Sequence, residues 1–143
     1  MQRVHCATAG ETEAFGEDLG RRLAARYADG VVVLLVGPLG AGKTVMARGI
    51  ARSLGVTDPV ISPTYTIISE YASPRTSFHH VDLYRIEGNA QIENLGLDDI
   101  MRAGGVVLVE WGEKLDLRGE HVRVTISLAG DGGRDITVEE LPA

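Results

Sequence analysis

Gly37, Gly42, Lys43 and Thr44 are the residues whose spacing points most directly to chemistry. They fill the pattern G-x-x-x-x-G-K-[ST] inside the stretch VVVLLVGPLGAGKT at 31–44. A polyphosphate must meet several backbone N–H groups at once, so the turn that holds it has to curl without Cβ atoms in the way. Gly37, Gly40 and Gly42 permit that. A helix beginning at about Lys43 offers its unpaired N–H groups and positive dipole end to the anion. Lys43 is placed to reach the β- and γ-phosphates, and the Thr44 hydroxyl to ligate Mg²⁺. Leu39, Ala41 and Val45, within and just behind the loop, complete the expected nucleotide-binding run.

A phosphate loop alone does not make a hydrolytic site. Mg²⁺ needs oxygen ligands, and an attacking water needs a positioning or basic group. Glu110 follows the apolar run Val106–Val109, and Asp82 follows Phe78–Val81. Each reads as an acid at the C-terminal end of a buried strand, where ligands collect in open α/β sheets. Lys43, Asp82 and Glu110 are therefore the candidate catalytic residues, and Thr44, Glu110 and Asp82 the candidate metal ligands. Spacing leaves open which acid meets the metal directly. It also leaves open a structural reading, in which either acid caps a turn or pairs with an arginine such as Arg85. Thr64, in the turn Ser62-Pro63-Thr64, could present its hydroxyl to the γ-phosphate or metal, or bond its own backbone. His79 and His80 face opposite sides of a strand, so they read as core or surface residues and not as joint ligands. Trp111 fills the core beside the site or packs over a ligand or partner.

The elements that position these groups follow from periodicity. Thr8 and Glu11 form a capping-box pattern, and Phe15, Leu19, Leu23 and Tyr27 then recur every four residues, an amphipathic helix ending near Gly30. Val31–Val36 lacks polar alternation, so both its faces should be buried in a parallel sheet under helices. After the loop, Met46, Ile50 and Leu54 turn a helix toward the core, and Gly55 ends it. A β-rich stretch spans Val60–Tyr71, and a short strand from Thr76 delivers Asp82. Short helices cover Ala90–Leu95 and Leu97–Arg102, and Val106–Val109 is a second buried strand. His121–Leu128 and Asp135–Val138 form an antiparallel hairpin about a glycine-rich turn, and Gln2–Ala7 is a candidate edge strand.

Size and charge bound the rest. A chain of 143 residues is the length of one domain, here 1–143. No apolar run reaches membrane-span length, and the start has no signal-peptide core, so the expected location is cytoplasmic, with no membrane partner. The single Cys6 fits a reducing compartment and excludes an internal disulfide. A net charge of −6 argues against holding nucleic acid directly, since that affinity comes mainly from cations meeting phosphates.

Four segments in order, Gly37 to Thr44, Ser62-Pro63-Thr64-Tyr65-Thr66, His80-Val81-Asp82-Leu83-Tyr84-Arg85 and Val109-Glu110-Trp111, resemble the TsaE (YjeE) family, small bacterial ATPases of tRNA threonylcarbamoyladenosine synthesis. The Glu11-Thr12-x-x-Phe15-Gly16 stretch is similar too. The resemblance implies an α/β, P-loop NTPase-like three-layer fold with a mixed parallel and antiparallel central sheet. It implies ATP and Mg²⁺ with weak intrinsic hydrolysis, and work with TsaD and TsaB on adenosine 37, tRNA being met only through the complex. Carried onto this chain, it makes Lys43 and Thr44 the phosphate and metal groups, Glu110 the Mg²⁺ ligand, Asp82 part of a switch-like segment and Thr64 a residue facing the nucleotide. Thr12 would line the adenine side, and Arg134 would approach the nucleotide. Pro38, Val45 and Gly112 depart from the residues common in the family, and Pro38 removes one N–H from the cradle. Two other functions fit a phosphate loop: a small-molecule kinase, which would need an acceptor pocket and a lid, and a non-hydrolytic nucleotide-sensing module.

Overall fold

The computed structural model describes residues 1–60, 67–74 and 76–142. Among these, seven strands form one sheet: β1 (Gln2–Cys6), β2 (Val31–Val36), β3 (Ile68–Tyr71), β4 (Phe78–Asp82), β5 (Val106–Glu110), β6 (His121–Leu128) and β7 (Arg134–Leu141). Their order is β1-β7-β6-β2-β5-β4-β3. The centre is parallel, with β2 between β5 and β6 and β4 beside β5. Both flanks are antiparallel: β3 on β4, β7 on β6, and β1 on β7. The mixed sheet is the one the family resemblance implies.

Helices cover both faces. α1 (Ala9–Arg26) and α2 (Lys43–Ser53) lie on one, and the short α3 (Asn89–Glu93) and α4 (Leu97–Arg102) belong to the cluster on the other. The unalternating β2 is the reason the sheet is covered twice. Val33 and Leu35 pack under α1 and α2, Leu34 packs into the opposite cluster, and all three are fully buried. Each such side chain contributes about 1.5–3 kcal/mol relative to exposure.

Local signals set where α1 and α2 begin and how closely they approach. Glu11 N–H donates to Thr8 Oγ1 at 3.1 Å, and the Glu11 carboxylate accepts the backbone N–H of Thr8 and of Ala7. This is the capping box read from the sequence. Gly49 lets the helices touch: a Cβ there would lie 2.1 Å from the Glu13 carbonyl oxygen. Arg52 pairs with Glu13 at 2.7 Å across the same seam. Leu19, Leu23, Met46, Ile50 and Leu54 are buried as the periodicity requires.

Several element ends differ from the sequence reading, and β4 starts at Phe78 and not at Thr76. β7 runs on to Leu141 because it pairs with β6 on one side and β1 on the other. The first short helix starts at Asn89 and stops at Glu93, and the expected continuation to Leu95 is a turn. The link after β5 winds through a 3₁₀ turn at Gly112–Lys114, where the periodicity predicts no element. The β-rich stretch is described as strand only at Ile68–Tyr71, and Thr64 lies outside the described residues. No described helix is long and apolar enough to cross a membrane.

Candidate functional site

The loop after β2 has the backbone that its glycines allow. Gly42 stands immediately before α2 with φ 102°, in the left-handed region that a side chain disfavours. No side chain caps α2. Its first N–H groups, which have no partners within the helix, are left available to an anion. Ala41 N–H donates to Pro38 O at 3.1 Å and closes the curl, so Pro38 serves the loop through its carbonyl and not through the donor it lacks.

Lys43 is buried within this loop. Its Nζ donates to Gly37 O and, at 3.2 Å, to Pro38 O, and lies 3.8 Å from the Trp111 ring centroid. Burial pushes the Lys43 ammonium below its ordinary pKa, while the charges of Glu113, Glu110 and Asp82 pull it up. An incoming phosphate would add to that upward pull.

The two acids come from neighbouring strand ends. Asp82 is the register partner of Glu110 across β4 and β5, and Glu110 is the partner of Leu35 near the end of β2. Both carboxyl-bearing residues are buried at the C-terminal ends of their strands, as the loop is at that of β2. Thr44 Oγ1 lies 3.2 Å from each oxygen of Glu110. Asp82 Oδ1 accepts the Tyr84 N–H at 2.9 Å, and Leu83 N–H donates to Glu110 O at 3.2 Å. Asp82 thus partly fulfils the turn-capping reading as well as standing beside Glu110.

Thr44 and Glu110 together fit a hard cation: a hydroxyl and a carboxylate, all oxygen, converge beside the phosphate loop. Among the described residues no group of three or more His, Cys, Asp or Glu side chains could hold a metal by itself. A cation here would complete its shell with water and phosphate oxygens, the usual manner of Mg²⁺.

On the other side of the loop, Arg134 grips its outer rim. The guanidinium donates to Ala41 O at 2.9 Å and Gly40 O at 3.1 Å, and also to Gly132 O and Gly133 O. Beside it lies a cavity of about 190 Å³ lined by Cys6, Thr12, Gly40, Gly42, Val45 and Arg134, among others. Thr12 is almost fully buried there. The exposed Leu39 stands at the loop tip. Burial raises the Cys6 thiol above its ordinary pKa, consistent with a small packing residue.

The structure therefore brings together Lys43, Thr44, Asp82 and Glu110, and groups Thr12, Gly40, Gly42, Val45 and Arg134 around the neighbouring cavity. Two participants were missed by sequence reasoning. His80 is fully buried with Nε2 2.5 Å from Glu110 Oε2. The signal was present in H-x-D on a strand beside one ending in Glu, but it needs the strand register to be read. Lys114 donates to Leu83 O, Tyr84 O and Ile86 O at 2.8–3.0 Å, fastening the segment after Asp82. Nothing in the local sequence marks it.

The chain is similar to known proteins over most of its length. Residues 6–136 match the family model described as "Threonylcarbamoyl adenosine biosynthesis protein TsaE". The chain is 44% identical over 119 residues to a Bacillus subtilis (strain 168) protein named tRNA threonylcarbamoyladenosine biosynthesis protein TsaE, covering 81% of this chain and 74% of that one. It is 34% identical over 143 residues to the Nostoc protein of the same name, covering 96% and 85%. Among solved structures, Bacillus subtilis YdiB superposes with a TM-score of 0.78 at 34% identity, covering 96% of this chain and 83% of that one.

Proposed function

This chain belongs to the TsaE family, and on that premise we propose that it is the ATP-binding, weakly ATP-hydrolysing subunit of the machinery that places a threonylcarbamoyl group on adenosine 37 of tRNA. The reading includes Mg²⁺ as the resident cation, TsaD and TsaB as partners, a cytoplasmic place of work, and a single P-loop domain. The observation that carries it is the meeting of the Thr44 hydroxyl with both Glu110 oxygens at the start of α2.

The roles divide as follows. Backbone N–H groups of Gly37, Leu39, Gly40 and Gly42 cradle the triphosphate, with Ala41 holding the curl through its bond to Pro38 O and Val45 behind them. Lys43 leaves its carbonyl partners and meets the β- and γ-phosphates, exchanging weak neutral acceptors for charged ones. Thr44 and Glu110 would hold Mg²⁺, which would supply charge neutralisation at the phosphate oxygens. Asp82, one strand away, orients the attacking water. Thr12 and Arg134 stand on the nucleoside side, and Thr64 belongs with the γ-phosphate.

The commitment of Arg134 is in keeping with weak intrinsic activity. Its guanidinium is committed to loop carbonyls, so it shapes the cradle and is not poised as an arginine finger, a device worth about 10³–10⁵ in rate. The acidic chain, at net charge −6, reaches tRNA through its partners.

Single-turnover hydrolysis of ATP, with and without Mg²⁺ and with and without TsaD and TsaB, tests this. Slow, metal-dependent hydrolysis that accelerates in the complex is expected. Fast turnover by the isolated chain, or hydrolysis indifferent to the metal, would contradict it.

A further inference from the structure

The buried histidine of β4 has no part in the reading above, yet it makes one of the closest polar contacts at the site. His80 is fully buried, and its Nε2 lies 2.5 Å from Glu110 Oε2, a residue itself only 3% exposed. The other ring nitrogen, Nδ1, has no hydrogen-bond partner among the described residues. The imidazole thus directs its one such bond to the carboxylate. Its position is fixed by the fold: Phe78, two residues earlier on the same face, stacks on the ring at 6.4 Å and 26°. The parallel ladder of β4 on β5 sets His80 opposite Leu108 and Asp82 opposite Glu110.

Thr44 also holds Glu110, from the side of the loop: its one O–H is shared between the two carboxylate oxygens at 3.2 Å, and its lone pairs remain for a cation. The His80 bond comes from within the covered sheet and does not compete. Hydrogen bonds of this kind to a ligating carboxylate fix its orientation, and their loss typically costs about 10–100-fold in metal affinity.

We infer that His80 is a positioning residue, which aims the Glu110 carboxylate at the Mg²⁺ site through a hydrogen bond from Nε2 that survives metal entry. This rests on Glu110 being the metal ligand. A side chain that donates from the place of Nε2 can replace it, and one that donates only from the place of Nδ1 cannot. A Gln amide reaches the first position and an Asn amide the second.

The test uses Mn²⁺ as the probe, titrated by electron paramagnetic resonance against the full chain with a non-hydrolysable ATP analogue. Metal-free affinity for the same analogue is measured in parallel. His80→Leu and His80→Asn are expected to raise the half-saturating Mn²⁺ concentration about tenfold or more. His80→Gln should stay within about threefold of wild type, and metal-free nucleotide affinity should hold within about twofold in all three. If His80→Leu does not fold, the Asn and Gln pair carries the same contrast. Unchanged Mn²⁺ affinity in the Leu and Asn variants, or a Gln variant as weak as they are, overturns the inference. So does an equal loss of metal-free nucleotide binding, which would mark His80 as packing alone. Glu110→Gln separates the two levels. If it weakens Mn²⁺ binding while His80→Leu does not, only the inference falls; if it leaves Mn²⁺ binding unchanged, the metal-ligand reading falls with it.

Discussion

The two sides of the phosphate loop are built on opposite plans. On one side, β5 and β4 end in buried acids: Glu110 meets Thr44 and His80, and Asp82 stands beside it in register. On the other, the β6–β7 hairpin and β1 present exposed ion pairs and a guanidinium spread over four backbone carbonyls. Buried charged groups cost desolvation and persist where they have partners and a use. Exposed pairs cost and gain little. On the proposed function the contrast divides the labour: chemistry falls to the side with the buried acids, and the hairpin side holds the cradle in shape.

The largest effect tests what the two sides share. Lys43→Ala should weaken ATP binding at least thirtyfold, since it removes a charge-assisted contact worth about 2–5 kcal/mol. Equilibrium titration reads this, and retained affinity would mean that the loop does not grip phosphate through Lys43. Next, Glu110→Gln should reduce Mg²⁺-dependent hydrolysis about a hundredfold while metal-free nucleotide affinity changes little. Equal losses in both would turn Glu110 into a structural acid and blur the division between sides.

Arg134→Ala sharpens it from the other direction. Loss of the brace on Ala41 and Gly40 should destabilise the fold by about 1–3 kcal/mol in thermal or denaturant unfolding. Nucleotide affinity should fall by less than in Lys43→Ala. A collapse of hydrolysis with affinity and stability intact would show that the hairpin side does chemistry after all.

The smallest effect lies at His5. Its hydrogen bond to Asp135 and the charge of Asp131 raise the imidazole pKa above its ordinary 6.5. The folded state therefore favours the protonated ring. That contribution is fully present below the unfolded value and fades as pH climbs through the higher folded value. The stability difference between wild type and His5→Gln should shrink from about pH 6 to about pH 9. A difference that grows over that range would contradict the clamp.

How much of this the sequence revealed follows the same division. The loop, Lys43, Thr44 and the strand-end acids were legible because each is declared by its own neighbours: a glycine-rich turn after an apolar run, or an acid closing one. The α1 cap and both α1 and α2 core faces were legible for the same reason. The His80–Glu110 contact was not, because it depends on β4 lying next to β5 in one particular register, and residues 80 and 110 are far apart in sequence. The structure puts Arg134 on the rim of the loop. That its guanidinium would hold loop carbonyls required knowing where the hairpin turn lands. Lys114 was illegible, since three carbonyls of a distant turn leave no trace in the residues around it.

The most direct measurement of the central claim is the anomalous signal of Mn²⁺ in a crystal of this chain with a non-hydrolysable ATP analogue. The claim requires the metal within ligand distance, roughly 2.0–2.3 Å, of Thr44 Oγ1, on the Glu110 side and against the phosphates that fill the loop. A metal peak away from both residues, or a triphosphate bound anywhere but the loop at 37–44, would contradict it.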